Sequence, residues 1–313
     1  MIHIDKLVIA FKLRIEYFNS VTYQFDTLKR ELEKIDRLND NPNLDLIEYL
    51  NTEITPYTFG KTELKRADLK EVKTHFKYNY WVFVDNKKIG LLQWETYGNG
   101  KNYGYVTLCN EVLYNEDWKL YKQSIKDLKL TISHISKLDI AYDTPINPTK
   151  RYLDIICDKE NEIIINGDII KDRNKLLKTP YFLVYGTLNE PYKYPQINLN
   201  TKDKSSTIRC YNKTEEINEK SHKNYIKEKF NGDKDIYRCE VSLNTHSVNR
   251  LVDNIINTNG FDTEEEGLNL LLKNLESTDY LLTLHKKTLF RLFRYSKRGE
   301  KRKTILSYYN IKL

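Results

Sequence analysis

The sequence predicts an α+β fold, in which a central antiparallel sheet with inserted helices is followed by a helical, basic C-terminal region. Short runs of aromatic and β-branched residues alternate with turn residues. For example, Tyr78–Val84 is followed by a turn at Asp85–Lys88 and a returning strand at Ile89–Glu95. Charged helical patterns stand between such strands, and from Asp262 onward apolar residues recur at helical spacing.

The first half of the chain alternates strands with helices. Apolar residues at helical spacing predict the first helix, and a candidate asparagine cap followed by an acidic pair begins the second. Strands are expected at Ile4–Phe11, Tyr78–Val84, Ile89–Glu95 and Gly104–Cys109, and helices at Phe25–Leu38 and Asn115–Leu128.

The second half holds the polar strands and ends in helices. Strands are expected at Lys137–Tyr142, Tyr181–Thr187, Ser206–Lys213 and Ile236–Leu243, and helices at Thr149–Lys159, within Thr214–Phe230, at Asp262–Leu275 and at Asp279–Phe293. We place a domain boundary where the pattern changes, which gives an α+β domain at 1–250 and a helical basic region at 251–313.

Composition indicates a polyanionic partner and a reducing compartment. The chain of 313 residues carries a formal net charge of +7 and a pI of about 8.9. Its four cysteines form no CxxC pair, so we expect no zinc site, and we expect Cys157, Cys210 and Cys239 to be buried. Neither a signal peptide nor a membrane span is apparent, which predicts a cytoplasmic protein.

Ile208–Lys213 carries a tyrosine between two cations. Residues two apart on a strand share a face, so Arg209, Tyr211 and Lys213 lie together. Cations in that row would hold a phosphate and favour the phenolate of Tyr211. The alternative is a surface strand with an ordinary amphipathic tyrosine, because 24 tyrosines make such placements common.

Tyr237–Leu243 places Arg238 and Glu240 on one face, away from an apolar face. Such a pair is often a cross-strand ion pair. If this strand neighbours the Tyr211 strand with polar faces aligned, Glu240 reaches a metal near Tyr211.

Lys137–Asp143 adds further acid. Asp139 and Asp143 lie on one face but roughly 13 Å apart in an extended strand, too far to ligate one ion. We choose Asp139, because Asp143 precedes Thr144 and Pro145 and is expected to end the strand. Glu216, shortly after Tyr211, is a third candidate. Such an oxygen-rich set suits Mg²⁺ or Mn²⁺.

The C-terminal tail is strongly basic. It predicts contact with the phosphate backbone of DNA, and the alternative is a packed helix with a solvated basic face. The sequence holds neither a GxxxxGK[ST] loop nor a GxGxxG turn, which excludes the common ATPase and dinucleotide motifs. The candidate DNA-binding residues are Lys286, Lys287, Arg291, Arg294, Lys297, Arg298 and Arg302.

Three strands together resemble the rolling-circle replication initiators of Gram-positive plasmids (the Rep_trans type) and related conjugative-element nickases. KLDIAYD at Lys137–Asp143 is similar to that family's RLDLAFD strand. RCYNKTEE at Arg209–Glu216 is similar to its RIYNKKQE segment, and YRCEVSL at Tyr237–Leu243 to its WRVEIEL strand. The order agrees, over roughly residues 130–245. Lys137 departs from the arginine usual there.

The resemblance implies an activity and a set of site residues. Tyr211 corresponds to the nicking tyrosine, which forms a 5′-phosphotyrosyl link and leaves a free 3′-hydroxyl. The recurring acidic positions fall on Asp139, Glu216 and Glu240, and the basic ones on Arg209, Lys213 and Arg238. The resemblance further implies origin DNA with an extruded hairpin or single strand, a homodimer and a host helicase as partners.

Two other functions stay open. The chain would be a non-catalytic origin-binding protein if Tyr211 were only a surface tyrosine. It would be a metal-dependent nuclease if water, rather than Tyr211, attacked the phosphate.

Overall fold

The computed structural model describes residues 1–12, 57–67, 76, 78–94, 103–172, 182–185, 196–230, 235–297 and 299. The chain forms two compact units: an N-terminal unit, Lys6–Ser136, and a C-terminal unit, Met1–Asp5 with Lys137–Leu313. Strands β1 (Ile2–Lys12) and β7 (Thr131–Thr144) contribute residues to both units.

The N-terminal unit contains an antiparallel sheet with strand order β1-β6-β5-β4-β3-β2. Alternation along β4 sends Tyr80, Val82 and Val84 into the core, where the Tyr80 ring stacks on Trp94 at 5.0 Å. Its further elements are β2 (Tyr57–Phe59), β3 (Thr62–Arg66), β4 (Tyr78–Val84), β5 (Lys87–Trp94), β6 (Tyr103–Leu108), α1 (Asn110–Tyr114) and α2 (Trp118–Asp127).

The end of α2 holds the turn between β2 and β3. The Asp127 carboxylate accepts hydrogen bonds from the Lys61 backbone N–H at 3.0 Å and the Thr62 hydroxyl at 2.9 Å. Gly60 in that turn has φ of +58°, and a Cβ there would lie 2.8 Å from Asp127 Oδ1. Only glycine meets both constraints without strain.

The C-terminal unit contains an antiparallel sheet with strand order β10-β11-β12-β13-β7 and a second sheet ordered β14-β8-β9. The first sheet positions the polar strands recognised in the sequence. The strands are β8 (Asn161–Ile165), β9 (Asp168–Ile170), β10 (Phe182–Tyr185), β11 (Gln196–Asn200), β12 (Ser206–Asn212), β13 (Tyr237–Asn244) and β14 (Phe293–Lys297).

Side-chain caps begin several helices of this unit. Asn244 accepts from the Ser247 N–H, and Thr263 with Glu266 forms a capping box, so donors that no helix carbonyl reaches are satisfied. The helices are α3 (Pro148–Cys157), α4 (Lys213–Glu216) with a π-helical turn at Ile217–Ser221, α5 (Asn224–Glu228), α6 (Thr245–Asn259), α7 (Glu264–Asn274) and α8 (Thr278–Leu292).

Helix α8 covers the apolar face of β12 and β13. Cys210 and Cys239 face each other across these strands and are fully buried. Behind them, the buried His285 of α8 places Nε2 3.0 Å from the Cys239 carbonyl oxygen, which accepts its hydrogen bond. The strand pair is therefore fixed from its apolar side by a helix.

The α+β expectation is confirmed, and strands β4, β5, β12 and β13 form where the sequence predicts them. Some details differ. The last helix ends at Leu292, because Phe293–Lys297 pairs with β8 as a strand. Strands β8, β9 and β11 were not expected. The expected helix Phe25–Leu38 lies outside the described residues.

Two further expectations differ from the structure. Cys157 is exposed at the end of α3 rather than buried, whereas Cys210 and Cys239 are buried as expected. The division by compactness does not fall at residue 250, because the helices after it belong to the same unit as the polar strands. None of the described helices is long and apolar enough to cross a membrane.

Gly267→Ala should destabilise the packing of α7 on α6. A Cβ at this position would lie 2.6 Å from Ile256 Cγ1 and 3.1 Å from Val252 Cγ1. Overpacking costs about 1–3 kcal/mol, which exceeds the helix preference of alanine over glycine of about 1 kcal/mol. Urea unfolding should show a net loss of about 1 kcal/mol, and the exposed control Asn269→Ala should show none. Equal stability of the Gly267 variant would contradict the close packing.

Candidate active site

Three neighbouring strands bring the polar residues onto one face. In the register of β12 and β13, Arg209 lies opposite Glu240 and Tyr211 opposite Arg238. In the register of β13 and β7, Arg238 lies opposite Asp143. The polar faces of these strands therefore align, as the placement of Glu240 near Tyr211 requires.

Tyr211 contacts a carboxylate on the neighbouring strand. Its hydroxyl donates to Glu240 Oε2 at 3.4 Å, and Lys213 Nζ lies 5.9 Å from the centre of its ring. The side chain is partly exposed. The nucleophile expected from the sequence thus has a proton acceptor within reach.

The pKa of Tyr211 is raised well above its ordinary value. Burial is the largest cause; Arg238 opposes the rise, while the negative charge of Glu240 adds to it. Arg238 does favour the phenolate, but burial outweighs its effect, so the phenol stays protonated. The cations are engaged by carboxylates, so their charge is largely cancelled at the phenol.

Arg209 lies between two carboxylates. Its Nη2 donates to Glu240 Oε1 and lies 3.9 Å from Asp139 Oδ2. Both acids are almost fully buried, whereas the Arg209 side chain is 40% exposed. Burial raises the pKa of Glu240 although Arg209 opposes this. Arg209 is the one of the three predicted cations that solvent reaches freely.

Arg238 is fully buried and lies opposite Tyr211 on the neighbouring strand. Its Nε and Nη2 donate to the two carboxylate oxygens of Asp143 at 2.7 and 2.8 Å, and its Nη1 donates to Asp5. His3 Nε2 lies 3.4 Å from Nη2. The sequence assigns Arg238 to a phosphate, but in the structure its guanidinium is hydrogen-bonded to Asp143 and Asp5.

We expected Asp143 only to end a strand. Instead, β7 continues to Thr144, and the Asp143 carboxylate is fully buried. Burial alone would raise the pKa of Asp143. The Arg238 guanidinium, with a smaller contribution from Lys213, outweighs burial and holds the pKa of Asp143 below the ordinary value. Asp143 is a charged partner of Arg238.

Lys213 and Glu216 form a pair of their own. Lys213 begins α4 rather than ending β12, and its side chain is 3% exposed. Its Nζ contacts Glu216 Oε2, which also accepts from the Ser221 hydroxyl at 3.1 Å. Burial lowers the pKa of Lys213, although Glu216 opposes this. Glu216, the last residue of α4, is thus engaged by Lys213 and Ser221.

Asp139 and Glu240 are the carboxylates best placed for a cation. Asp139 Oδ1 is buried without a hydrogen-bond donor, and Lys137 Nζ lies 3.6 Å away. Arg209 Nη2 already supplies positive charge between the two acids. Among the described residues no group of three or more ligating side chains forms a metal cage. Mg²⁺ typically uses one or two carboxylates with water and phosphate, so the pair fits such an ion.

The predicted DNA-binding residues are only partly described. Lys287, Arg291 and Lys297 are exposed, and Arg291 donates to the Ser206 hydroxyl at 2.7 Å. The Arg294 guanidinium lies 5.2 Å from the ring centre of Phe290. Lys286 is partly buried on α8, and Arg298 and Arg302 lie outside the described residues.

Sequence reasoning missed His3, Asp5 and the role of Asp143. A signal was present, because His3 and Asp5 are two apart at the start of a strand and share a face with each other. Their relevance depended on the pairing of that strand with β7, more than a hundred residues away in sequence, which alternation does not reveal.

No family model and no curated protein matches the chain. The resemblance to the Rep_trans initiators therefore rests on the three motifs. Among solved structures, the chain is similar to a rolling circle replication initiator protein from Geobacillus stearothermophilus. The identity is 11% and the TM-score 0.44, with 96% of this chain and 89% of the other covered. A similarity of this size is too low to indicate a shared activity.

His3 should make the protein less stable as the pH falls from 6.5 toward 3. Burial lowers the pKa of His3 to about 3, so the folded protein keeps it neutral where the unfolded chain takes up a proton. Its stabilising effect is complete above pH 6.5 and lost as pH falls. Urea unfolding between pH 7.5 and 4.5 should show a dependence up to about 1.4 kcal/mol per pH unit steeper than in His3→Gln.

The exposed His246→Gln on α6 is the matched control for loss of an imidazole. Parallel pH profiles for the unaltered protein and His3→Gln would contradict a buried neutral His3.

Proposed function

We propose that the protein is a rolling-circle replication initiator that nicks one strand of an origin, with Tyr211 as nucleophile. The observation that carries this proposal is the contact of the Tyr211 hydroxyl with Glu240 on the adjacent strand. The motif order in the sequence supports the same assignment.

Glu240 is proposed as the proton acceptor. Tyr211 has a raised pKa, so it attacks only if its proton is taken up during the reaction. Burial also raises the pKa of Glu240, which makes it a stronger base than an ordinary carboxylate. The tyrosine oxygen then bonds to phosphorus as the bond from phosphorus to the 3′ oxygen breaks, and the departing 3′ oxygen takes up a proton from water. The products are a 5′-phosphotyrosyl link and a free 3′-hydroxyl.

The three predicted cations have different proposed roles. Arg209 is exposed enough to contact a phosphate from solvent, and its planar fork suits two phosphate oxygens. Arg238 and Lys213 are too deeply buried for that contact. We therefore assign them to positioning, Arg238 behind Tyr211 and Lys213 beside its ring.

A divalent cation is proposed at Asp139 and Glu240. Mg²⁺ or Mn²⁺ bound there would polarise the scissile phosphate and stabilise charge on the departing oxygen. The two oxygens of Glu240 face different ways, with Oε2 toward Tyr211 and Oε1 toward Arg209, so one carboxylate serves both groups. Glu216, engaged by Lys213 and Ser221, orients Lys213 in this proposal.

Origin DNA is the proposed partner. The exposed cations of α8 and β14, among them Lys287, Arg291 and Lys297, suit contacts with the phosphate backbone. A homodimer, a host helicase and a cytoplasmic location follow from the resemblance and remain proposals.

Tyr211→Phe should abolish covalent capture of an origin oligonucleotide labelled on the 3′ side of the nick, while binding stays within about threefold. Loss of the hydroxyl removes the nucleophile but leaves the ring and the cations in place. Denaturing electrophoresis of the labelled adduct, followed by peptide mapping, measures capture.

Tyr237→Phe, on the adjacent strand, is the matched control and should keep the adduct. An adduct in the Tyr211 variant would contradict the proposal. Nicking without any adduct in the unaltered protein would select the water-dependent nuclease, and intact replication with the Phe variant would select the non-catalytic origin-binding protein.

Asp139→Asn removes only a metal ligand, whereas Glu240→Gln removes a metal ligand together with the proposed proton acceptor, and the two variants should therefore respond differently to Mg²⁺. Loss of a general base lowers rates by about 10²–10⁴-fold, and Gln keeps the size of the side chain. Asp139→Asn should instead raise the Mg²⁺ concentration for half-maximal nicking by about tenfold or more, because one ligand charge is lost. Nicking rates measured across a Mg²⁺ series, with an EDTA control, distinguish the two effects.

Saturating Mg²⁺ should restore nicking in Asp139→Asn but not in Glu240→Gln. A Glu240→Gln rate within about threefold of the unaltered protein would rule out Glu240 as the acceptor.

A further inference from the structure

One face of the N-terminal sheet carries aromatic rings outside the core. Alternation along β4 turns Trp81 and Phe83 away from the buried Tyr80 and Val82, and leaves both rings partly exposed. Tyr105 on β6 lies on the same face, since it pairs with Gln93, which pairs with Asn79 of β4. We call Trp81, Phe83 and Tyr105 the aromatic face.

Lysine ammonium groups cover two of these rings. Lys88 Nζ lies 3.1 Å from the ring centre of Trp81, and Lys65 Nζ lies 4.6 Å from that of Phe83. Lys65 also pairs with Glu63 at 3.6 Å and stays 47% exposed. Both ammonium groups end flexible, solvated side chains, so they leave a ring face readily when another planar group takes it.

The aromatic face is positively charged. Exposed Lys6 and Lys12 of β1 share this side of the sheet, because they lie an even number of positions from Ala10, the partner of Tyr105. Among the charged side chains described on this face, four are lysines and one is a glutamate; they are Lys6, Lys12, Lys65, Lys88 and Glu63.

We propose that the aromatic face binds single-stranded DNA, with bases stacked on Trp81 and Phe83 and with Lys65 and Lys88 moved onto phosphates. Sequence-tolerant binding of single strands combines aromatic platforms with cations that follow the backbone. The two residues are two apart on one strand, about 7 Å, so each ring receives a separate base.

The composition of the aromatic face favours this ligand over a protein partner. Protein interfaces are depleted in lysine, whereas four lysines lie on this side of the sheet and two of them lie over the rings. Duplex DNA is excluded as the stacking ligand, because its bases are already stacked on each other. The inference goes beyond nicking at Tyr211 and does not depend on it, because the aromatic face belongs to the N-terminal unit.

Binding of a fluorescein-labelled oligothymidylate to the full chain, measured by anisotropy, tests the aromatic contribution. Trp81→Leu and Phe83→Leu keep an apolar side chain at each position but remove the aromatic ring on which a base would stack. Each should weaken binding by about tenfold. Trp118→Leu is the matched control, since Trp118 is an equally partly exposed tryptophan on α2 of the same unit. It should leave affinity unchanged.

The salt dependence of the same assay tests the lysines. Lys65→Gln combined with Lys88→Gln should lower the slope of log affinity against log salt by about 1.4, because each lysine on a single-strand phosphate contributes about 0.7 to that slope. Lys119→Gln, at an exposed position on α2, is the charge-matched control. The double lysine variant keeps the test decisive if a leucine substitution lowers Tm.

Three results would overturn the inference: no binding of the oligothymidylate, equal affinity of the Trp81 and Trp118 variants, or a changed sedimentation of Trp81→Leu with unchanged affinity. The last would assign the aromatic face to contacts between copies of the chain. Tyr211→Phe should bind the oligothymidylate normally, so loss of nicking leaves this inference standing and its failure leaves the nicking proposal standing.

Discussion

The buried guanidinium of Arg238 is the group on which the candidate site depends. A charge without solvent is tolerable only if carboxylates surround it, and Asp143 and Asp5 supply them from β7 and β1. Removing one partner of such a pair typically costs about 3–5 kcal/mol. Tyr211 lies directly opposite Arg238 in the register, so the network that stabilises the three strands also fixes the position of the phenol.

The same network contributes to keeping the Tyr211 phenol protonated. Every cation near Tyr211 among the described residues is paired: Arg209 with Glu240, Arg238 with Asp143, and Lys213 with Glu216. What remains at the hydroxyl is burial and surplus negative charge, which both favour the neutral phenol. The phenol of Tyr211 is therefore neutral in this structure, and the proposed reaction requires a group that takes up its proton.

Strand alternation made the polar faces of β12, β13 and β7 predictable, because the period of two is a local property of extended chain. This alternation was enough to place four polar residues on one face of the sheet, namely Arg209, Tyr211, Glu240 and Asp139. The partners of Arg238 were not predictable, since Asp5 is 233 residues away in sequence and its meeting with Arg238 depends on strand order. The raised pKa of Tyr211 could not be predicted either, because desolvation depends on the folded surroundings and not on neighbours in sequence. Strand β14 was not expected for a related reason, because it pairs with β8, which lies far away in sequence.

The contact of His285 with the Cys239 carbonyl has a consequence for how this protein diversifies. Helix α8 carries exposed basic residues, and its other side packs against β13, the strand that carries Glu240. A recombination event that exchanged only the last helices would disrupt the packing behind β12 and β13. For the DNA contacts proposed on α8, new specificities are therefore expected to arise by substitution on its outer side, with its inner side retained, rather than by exchange of a separate recognition module.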